Sequence, residues 1–373
     1  MIMLTAQDDL LGHQTSAPFA RAGAADPRFT ERYWYTAHPV DGAPLIFDAG
    51  LGYYPNRGVM DAFAGITIGT KQHNFRVSRR LGVTPLQTEV GPLRFTVVEG
   101  MKRHRLTLAD NGSGLSFDLT FEATFPGAQE KQNVRERDGK VEEDLARVAQ
   151  FGRYQGWILA DGKRHEVTPA TWWGQRDHSW GVRSEMRTDE TDPPVHRPKS
   201  FFWTWSMFQF ESSALSMFLK ERAPDKPLFV SGREFRRQPD GSLRQRDLIA
   251  VQHEIDWADD PLGQTIASAK LTFDFDEGAP RVVHMKGLPA RFYLKAGMYG
   301  GLDGWKHGDD KGELHQAHDV WDLTDAHTRL KARTLSDHVI EATSEGERGF
   351  GISEYGVAPG YPIYPVPQRH PAM

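Results

Sequence analysis

Leu115-Ser116-Phe117-Asp118-Leu119-Thr120-Phe121-Glu122-Ala123-Thr124-Phe125 is apolar at every odd position and polar at every even one. In an extended chain successive side chains point to opposite faces, so this stretch predicts a strand with one buried and one wet face. Lys270-Leu271-Thr272-Phe273-Asp274-Phe275-Asp276 repeats the pattern, and 41–47, 93–99, 155–161 and 214–220 carry it more weakly. Asp-Gly or Asn-Gly pairs punctuate the runs at 41–42, 111–112, 138–139, 161–162, 240–241 and 303–304. Such pairs accept the positive φ angles of tight hairpins. Many short strands separated this way predict an all-β, antiparallel fold of barrels or sandwiches with few short helices. The clearest helical signal is 142–150, where Val141, Leu145, Val148 and Ala149 would share one side of a short amphipathic helix.

A chain of 373 residues favours two domains. The expected division is an N-terminal arm over 1–25, a β-domain over 26–165 and a second over 166–373. The arm carries Asp8 and Asp9 where a signal peptide needs positive charge, which predicts an untargeted, partly mobile segment and a cytoplasmic protein. No run approaches the roughly 18 apolar residues of a membrane span. Net charge is −5, without a basic tract, which disfavours nucleic acid as a partner. The absence of cysteine excludes disulfides, thiolate nucleophiles and Cys-based zinc sites. The stretch 187–199, with Asp192-Pro193-Pro194, predicts a loop.

The chemistry concentrates in Trp172-Trp173-Gly174-Gln175-Arg176-Asp177-His178-Ser179-Trp180-Gly181-Val182-Arg183. As a strand it places Arg176, His178 and Trp180 on one face and Asp177 and Ser179 on the other. Charged groups in such an apolar setting are either paired or line a cavity, because an unpaired buried charge is costly. Asp177 is expected to bond an arginine, with Arg176 or Arg183 nearest in sequence. A second cluster runs through Tyr53, Asn56, Arg57 and Asp61, followed by 69–79, where Gln72, Asn74, Arg76 and Ser78 would share a face. His315 and His318 form a weak candidate metal pair, since residues three apart on a strand face opposite ways. No metal and no cofactor are expected.

These stretches together resemble a known family. Tyr33-Trp34-Tyr35, Tyr54-Pro55-Asn56-Arg57 with Asp61, Asn74-Phe75-Arg76-Val77-Ser78-Arg79 and above all Gly174-Gln175-Arg176-Asp177-His178-Ser179-Trp180-Gly181 carry the resemblance. It is to the lipocalin-like, two-barrel superfamily of carotenoid 1,2-hydratases (hydroxyneurosporene synthases), AttH-type proteins, and fungal kievitone hydratase-like and Diels–Alderase proteins. Within that group it points to an uncharacterised bacterial branch with the Gly-x-Arg-Asp-His-Ser-Trp-Gly motif. The resemblance implies two lipocalin-like β-domains and a pocket for a hydrophobic small molecule. It also implies that a His and a Trp spaced as His178 and Trp180 belong to the site. The hydratases place an Asp on the following strand, whereas Phe202–Gln209 has no carboxylate until Glu211. Any acid must therefore come from elsewhere.

The resulting expectation is a cofactor-independent lyase, hydratase or isomerase working by acid–base chemistry on a terpenoid, steroid, polyketide or similar molecule. Burial can keep a carboxylic acid neutral at working pH, as protonation of an alkene requires. The candidate catalytic residues are Asp177, His178 and Glu354. The candidate binding residues are Arg176, Trp180, Tyr53, Asn56, Arg57, Asp61, Asn74, Arg76, Trp203, Trp205 and Tyr355. The alternative is a carrier or sensor of the same class of ligand, which needs only an apolar cavity and one or two anchors. A homodimer is a candidate assembly.

Overall fold

Strands dominate the computed structural model, which describes residues 6–13, 16, 26–81, 87–186, 200–224, 226–260, 264–333 and 335–364. In chain order they are β1 (Phe29–Pro39), β2 (Leu45–Tyr54), β3 (Val59–Ile68), β4 (Lys71–Arg80), β5 (Glu89–Val90), β6 (Leu93–Glu99), β7 (Arg103–Leu108), β8 (Ser116–Ala123), β9 (Ala128–Gln129), β10 (Asn133–Arg137), β11 (Lys140–Ala160), β12 (Lys163–Val167), β13 (Trp172–Val182), β14 (Phe202–Gln209), β15 (Ser213–Glu221), β16 (Pro227–Arg237), β17 (Leu243–Trp257), β18 (Ile266–Phe275), β19 (Arg281–Tyr293), β20 (Leu314–Asp322), β21 (Ser336–Ser344) and β22 (Glu347–Val357). Among the described residues the one α-helix is Ala326–Ala332. The fold is therefore the expected two-domain, lipocalin-like, all-β architecture. The expected loop at 187–199 lies outside the described residues.

Two units divide the chain. The first comprises Met1–Val195 with Leu294–Asp322, the second His196–Tyr293 with Leu323–Met373. The division differs from the expected one at 165/166, which would have cut β13 from its partners. β13 hydrogen-bonds β1 along one edge and β11 along the other, so pairing commits it to the first unit. The segment from Leu294 also returns to that unit, where β20 pairs β4.

In the first unit the strand order is β20-β4-β3-β2-β1-β13-β11-β8-β7-β6-β5, with β9, β10 and β12 added along β11. The sheet curls until β5 comes back against β3 and β4. Its inner face is the apolar core, with Tyr33, Tyr35, Phe47, Phe75, Phe95, Phe117 and Tyr154 among its members. The outer face of β1–β3 is covered too. Phe63 packs beneath Gly297 and Tyr299, and Arg32 lies over the Tyr54 and Tyr299 rings. This double cover leaves β1 and β13 buried along their whole lengths, charged residues included.

The expected helix over 142–150 is instead part of the 21-residue strand β11. Its apolar positions suit either period, and Arg147, Val148 and Ala149 find β partners in β13 that a helix would forgo. Tertiary pairing overrides a weak local preference.

The second unit is a closed eight-stranded barrel in the order β14-β15-β16-β17-β18-β19-β21-β22, shut by β14 against β22. Phe202, Phe208, Leu215, Met217, Phe273 and Ile340 are among the residues that fill it. Complete closure leaves no unpaired edge.

Candidate functional site

β13 supplies the centre of the first unit's interior. Its register pairs Tyr33 with His178, Tyr35 with Arg176 and Glu31 with Trp180. The pleat therefore sends Arg176, His178 and Trp180 inward beside Glu31, Tyr33 and Tyr35. Two glycines allow the strands to approach this closely. A Cβ on Gly174 would stand 1.9 Å from the Thr36 carbonyl oxygen, and one on Gly181, at φ +134°, 2.0 Å from that of Asp144.

The N-terminal segment completes the cluster. Asp8, Asp9 and His13 are buried to within 2% of full coverage, so this part of the arm is not a free tail. His13 is bonded through Nδ1 to Glu31 Oε1 at 2.7 Å and through Nε2 to Asp8 Oδ1 at 2.8 Å. His178 Nε2 meets the same Glu31 oxygen at 2.7 Å. The other Glu31 oxygen accepts the backbone N–H groups of Gly12 and His13 at 2.6 and 2.8 Å. A second chain runs through Asp9. It pairs with Arg176 at 2.7 Å and with His104 Nε2 at 2.8 Å, while His104 Nδ1 meets the Tyr35 hydroxyl. Arg176 Nε also donates to Gln150 Oε1 at 2.8 Å, and Tyr33 donates its hydroxyl to the Asp9 carbonyl oxygen. The ring of Trp180 stacks on His13 at 4.1 Å, and the Tyr33 ring stands edge-on to His178 at 4.7 Å.

Burial and charge oppose each other here. Burial would raise the Asp9 carboxyl, but the Arg176 guanidinium and then His104 hold it well below the usual carboxylate range. Burial opposes ionisation of Glu31 as well, and its bonds to His13 and His178 bring it below its ordinary value. His13 is raised, its bonds to Glu31 and Asp8 outweighing burial. His104 goes the other way, pushed down to about 4 by burial and the nearby Arg176 charge. Tyr33 is raised well above its ordinary value by burial, then by the Glu31 charge. Asp9 and Glu31 are thus carboxylates, and neither is the neutral carboxylic acid that alkene protonation would use.

Tyr33 also lines an open cleft of about 600 Å³, with Leu10, Leu11, Glu89, Phe95 and Val97 among its walls. A small cavity of about 10 Å³ lies among Arg32, Tyr33, Gly50, Asp61 and His307. Neither is lined by Asp177, His178 or Glu354.

The other sequence candidates are dispersed. Asp177 faces away from the cluster and pairs with Arg147 at 2.9 Å, not with Arg176 or Arg183. Arg147 is its diagonal neighbour on β11, opposite Ser179, a pairing that sequence distance could not show. Arg183 bonds Ser179 instead. Tyr53 lies in the first unit's apolar core. Asp61, behind it on the outer face, accepts from the Tyr54 hydroxyl at 3.0 Å and the Gly308 N–H at 2.7 Å. Asn56 and Arg57 hold backbone carbonyls, Asn56 that of Asp26 and Arg57 those of Pro27, Met186 and His307. Asn74 and Arg76 both bind Asp319 of β20. Trp203, Trp205, Glu354 and Tyr355 belong to the second unit's barrel. There the Tyr355 hydroxyl is engaged by Arg291, His338 and the Ile266 N–H. Glu354 is the strand neighbour of Tyr355 and points to the opposite face. His315 and His318 are exposed on β20.

Sequence reading missed Asp8, Asp9, His13, Glu31, His104 and Gln150. For Glu31 a signal existed, since it shares the strand parity of Tyr33 and Tyr35. For the N-terminal residues none did.

Comparison with solved structures places this fold. An AttH-type protein of Nitrosomonas europaea superposes with a TM-score of 0.55 at 14% identity, over 93% of this chain and 99% of that one. CghA, in a crystal structure with Sch210972, superposes with a TM-score of 0.50 at 13% identity, over 93% of each chain. At these identities the likeness is one of fold. No curated protein matches the sequence. One family model spans residues 4–361, from the N-terminal segment through the barrel, and by that match the chain belongs to the family of unknown function DUF8625.

Proposed function

We propose that this protein is a proton-transfer enzyme, a hydro-lyase or isomerase without an organic cofactor, acting on a hydrophobic small molecule held in the cleft of the first unit. The observation that carries the reading is the position of Tyr33, which belongs both to the cleft wall and to the buried cluster of Glu31, His178 and Asp9. Leu10, Leu11, Phe95 and Val97 give the cleft apolar walls, which suit a molecule of that class.

The chemistry follows from the acidity of Tyr33. A phenol raised well above its ordinary pKa by burial stays neutral and donates a hydrogen bond. It is too weak an acid to protonate an isolated alkene. Once its hydroxyl turns from the Asp9 carbonyl oxygen that accepts it in the free protein, it is suited to a substrate oxygen, either a carbonyl whose α-proton moves or a hydroxyl that leaves. This favours isomerisation or dehydration of an oxygen-bearing substrate over hydration of a plain hydrocarbon. The carrier reading rests on its own observation, that Asp177, His178 and Glu354 line neither cavity.

Mass spectrometry of molecules that co-purify with the chain gives the test, followed by incubation of each with fresh protein. Conversion that Tyr33→Phe abolishes while binding persists is the expected result. A ligand returned chemically unchanged by the wild-type protein refutes the enzyme and leaves the carrier.

A further inference from the structure

We infer that His13, Glu31 and His178 form a binding site for one divalent first-row transition-metal ion, zinc being the simplest occupant, which fastens the N-terminal segment to the sheet. One ligand atom from each of the three residues lies within 4.8 Å of the other two, and all three residues are buried. Both imidazole nitrogens stand 2.7 Å from the same oxygen. Ligands at about 2.0–2.2 Å from a common ion, at right or tetrahedral angles, stand roughly 2.9–3.4 Å apart. To admit one, the two N···O separations of 2.7 Å must open by a few tenths of an ångström and the two imidazole nitrogens must stand at a similar spacing from each other. Two imidazoles and one carboxylate suit zinc, iron or cobalt, whereas calcium and magnesium prefer all-oxygen sets.

The surroundings are those of a held ligand set. The distal nitrogen of His13 is 2.8 Å from Asp8 Oδ1, the carboxylate–histidine arrangement that orients metal ligands elsewhere. Two backbone N–H groups occupy Glu31 Oε2 and leave Oε1 turned to the centre. Trp180 stacks on one imidazole at 4.1 Å, and Tyr33 and Trp180 press edge-on against the other at 4.7 and 5.0 Å. Among the described residues the other histidine–carboxylate ion pairs lack this convergence. His104 with Asp9, His253 with Glu221 and His307 with Asp61 each bring a single imidazole to a carboxylate.

Topology says what such an ion would do. Glu31 and His178 come from the adjacent strands β1 and β13, whereas His13 comes from a segment outside the sheet, 18 residues before Glu31. An ion bound by all three closes that stretch of chain, so its binding energy becomes docking energy for the segment. The inference stands apart from the reaction class, because the ion is measured with no substrate present.

Full-length chain, stripped with EDTA and titrated with zinc alone, is expected to take up one ion. Cobalt in its place should give visible absorption. His13→Gln and His178→Gln should each weaken binding by at least about 100-fold, and Asp8→Asn by about 10–100-fold. Zinc should slow proteolysis before Asp26 in the wild-type chain and not in His13→Gln. Because His13 lies outside the sheet, its variant decides the matter even where His178→Gln fails to fold. No stoichiometric zinc in the wild-type protein, or zinc retained undiminished in His13→Gln, overturns the inference. Tyr33→Phe keeps zinc binding, which separates this test from that of the proposed reaction.

Discussion

The two units bury ionisable groups in opposite ways. In the first, Asp8, Asp9, Glu31, His13, His104, His178 and Arg176 meet within one interior, and three of the seven come from the N-terminal segment. In the barrel the charges form separate closed sets. Glu234 is ringed by Arg236, Arg246 and Arg281, Glu221 by His253 and Tyr361, and Tyr355 by Arg291 and His338. A carboxylate with several guanidiniums has its lone pairs spent, whereas one that meets two imidazoles on a single oxygen presents convergent donors. The difference explains why the barrel, which buries polar groups too, yields no candidate centre among its described residues.

The largest expected effect breaks the comparison at its charges. Arg176→Met removes the buried partner of Asp9 and should cost about 3–5 kcal/mol, read as a lower denaturant midpoint. Arg281→Met in the barrel should cost only about 1–3 kcal/mol, because Glu234 keeps Arg246 and Arg236. Equal losses would mean that the first unit's cluster is no more dependent on single partners than the barrel's.

A pH experiment sharpens the contrast. His338, buried beside Arg291, is pushed down to about 3 by burial and then by that charge, so it is neutral in the fold. An unfolded imidazole takes up its proton near pH 6.5. Between those values the unfolded chain holds the extra proton, so stability falls as pH drops from about 6.5 toward 3. Denaturation midpoints across that range should decline less steeply in His338→Gln. An unchanged slope would place the acid sensitivity in other groups.

The smallest effect concerns the outer face. Arg76 pairs with a partly exposed Asp319, so Arg76→Gln should cost about 1 kcal/mol in the same denaturation measurement. It should leave binding of any co-purified ligand unchanged. Weakened binding would restore Arg76 as a pocket residue.

The sequence by itself determined the alternating strands, β8 and β18 above all, because a period of two needs only the neighbours along the chain. It determined that the face of Arg176, His178 and Trp180 is shared, for the same reason. It left undecided which partner Asp177 takes, since Arg147 is 30 residues away on a strand whose apolar spacing also suits a helix. The tertiary structure alone brought Asp8, Asp9 and His13 to Glu31 and His178. Burial of a charged N-terminal stretch depends on partners from β1, β7 and β13, and no local pattern in residues 6–13 encodes which strands those are.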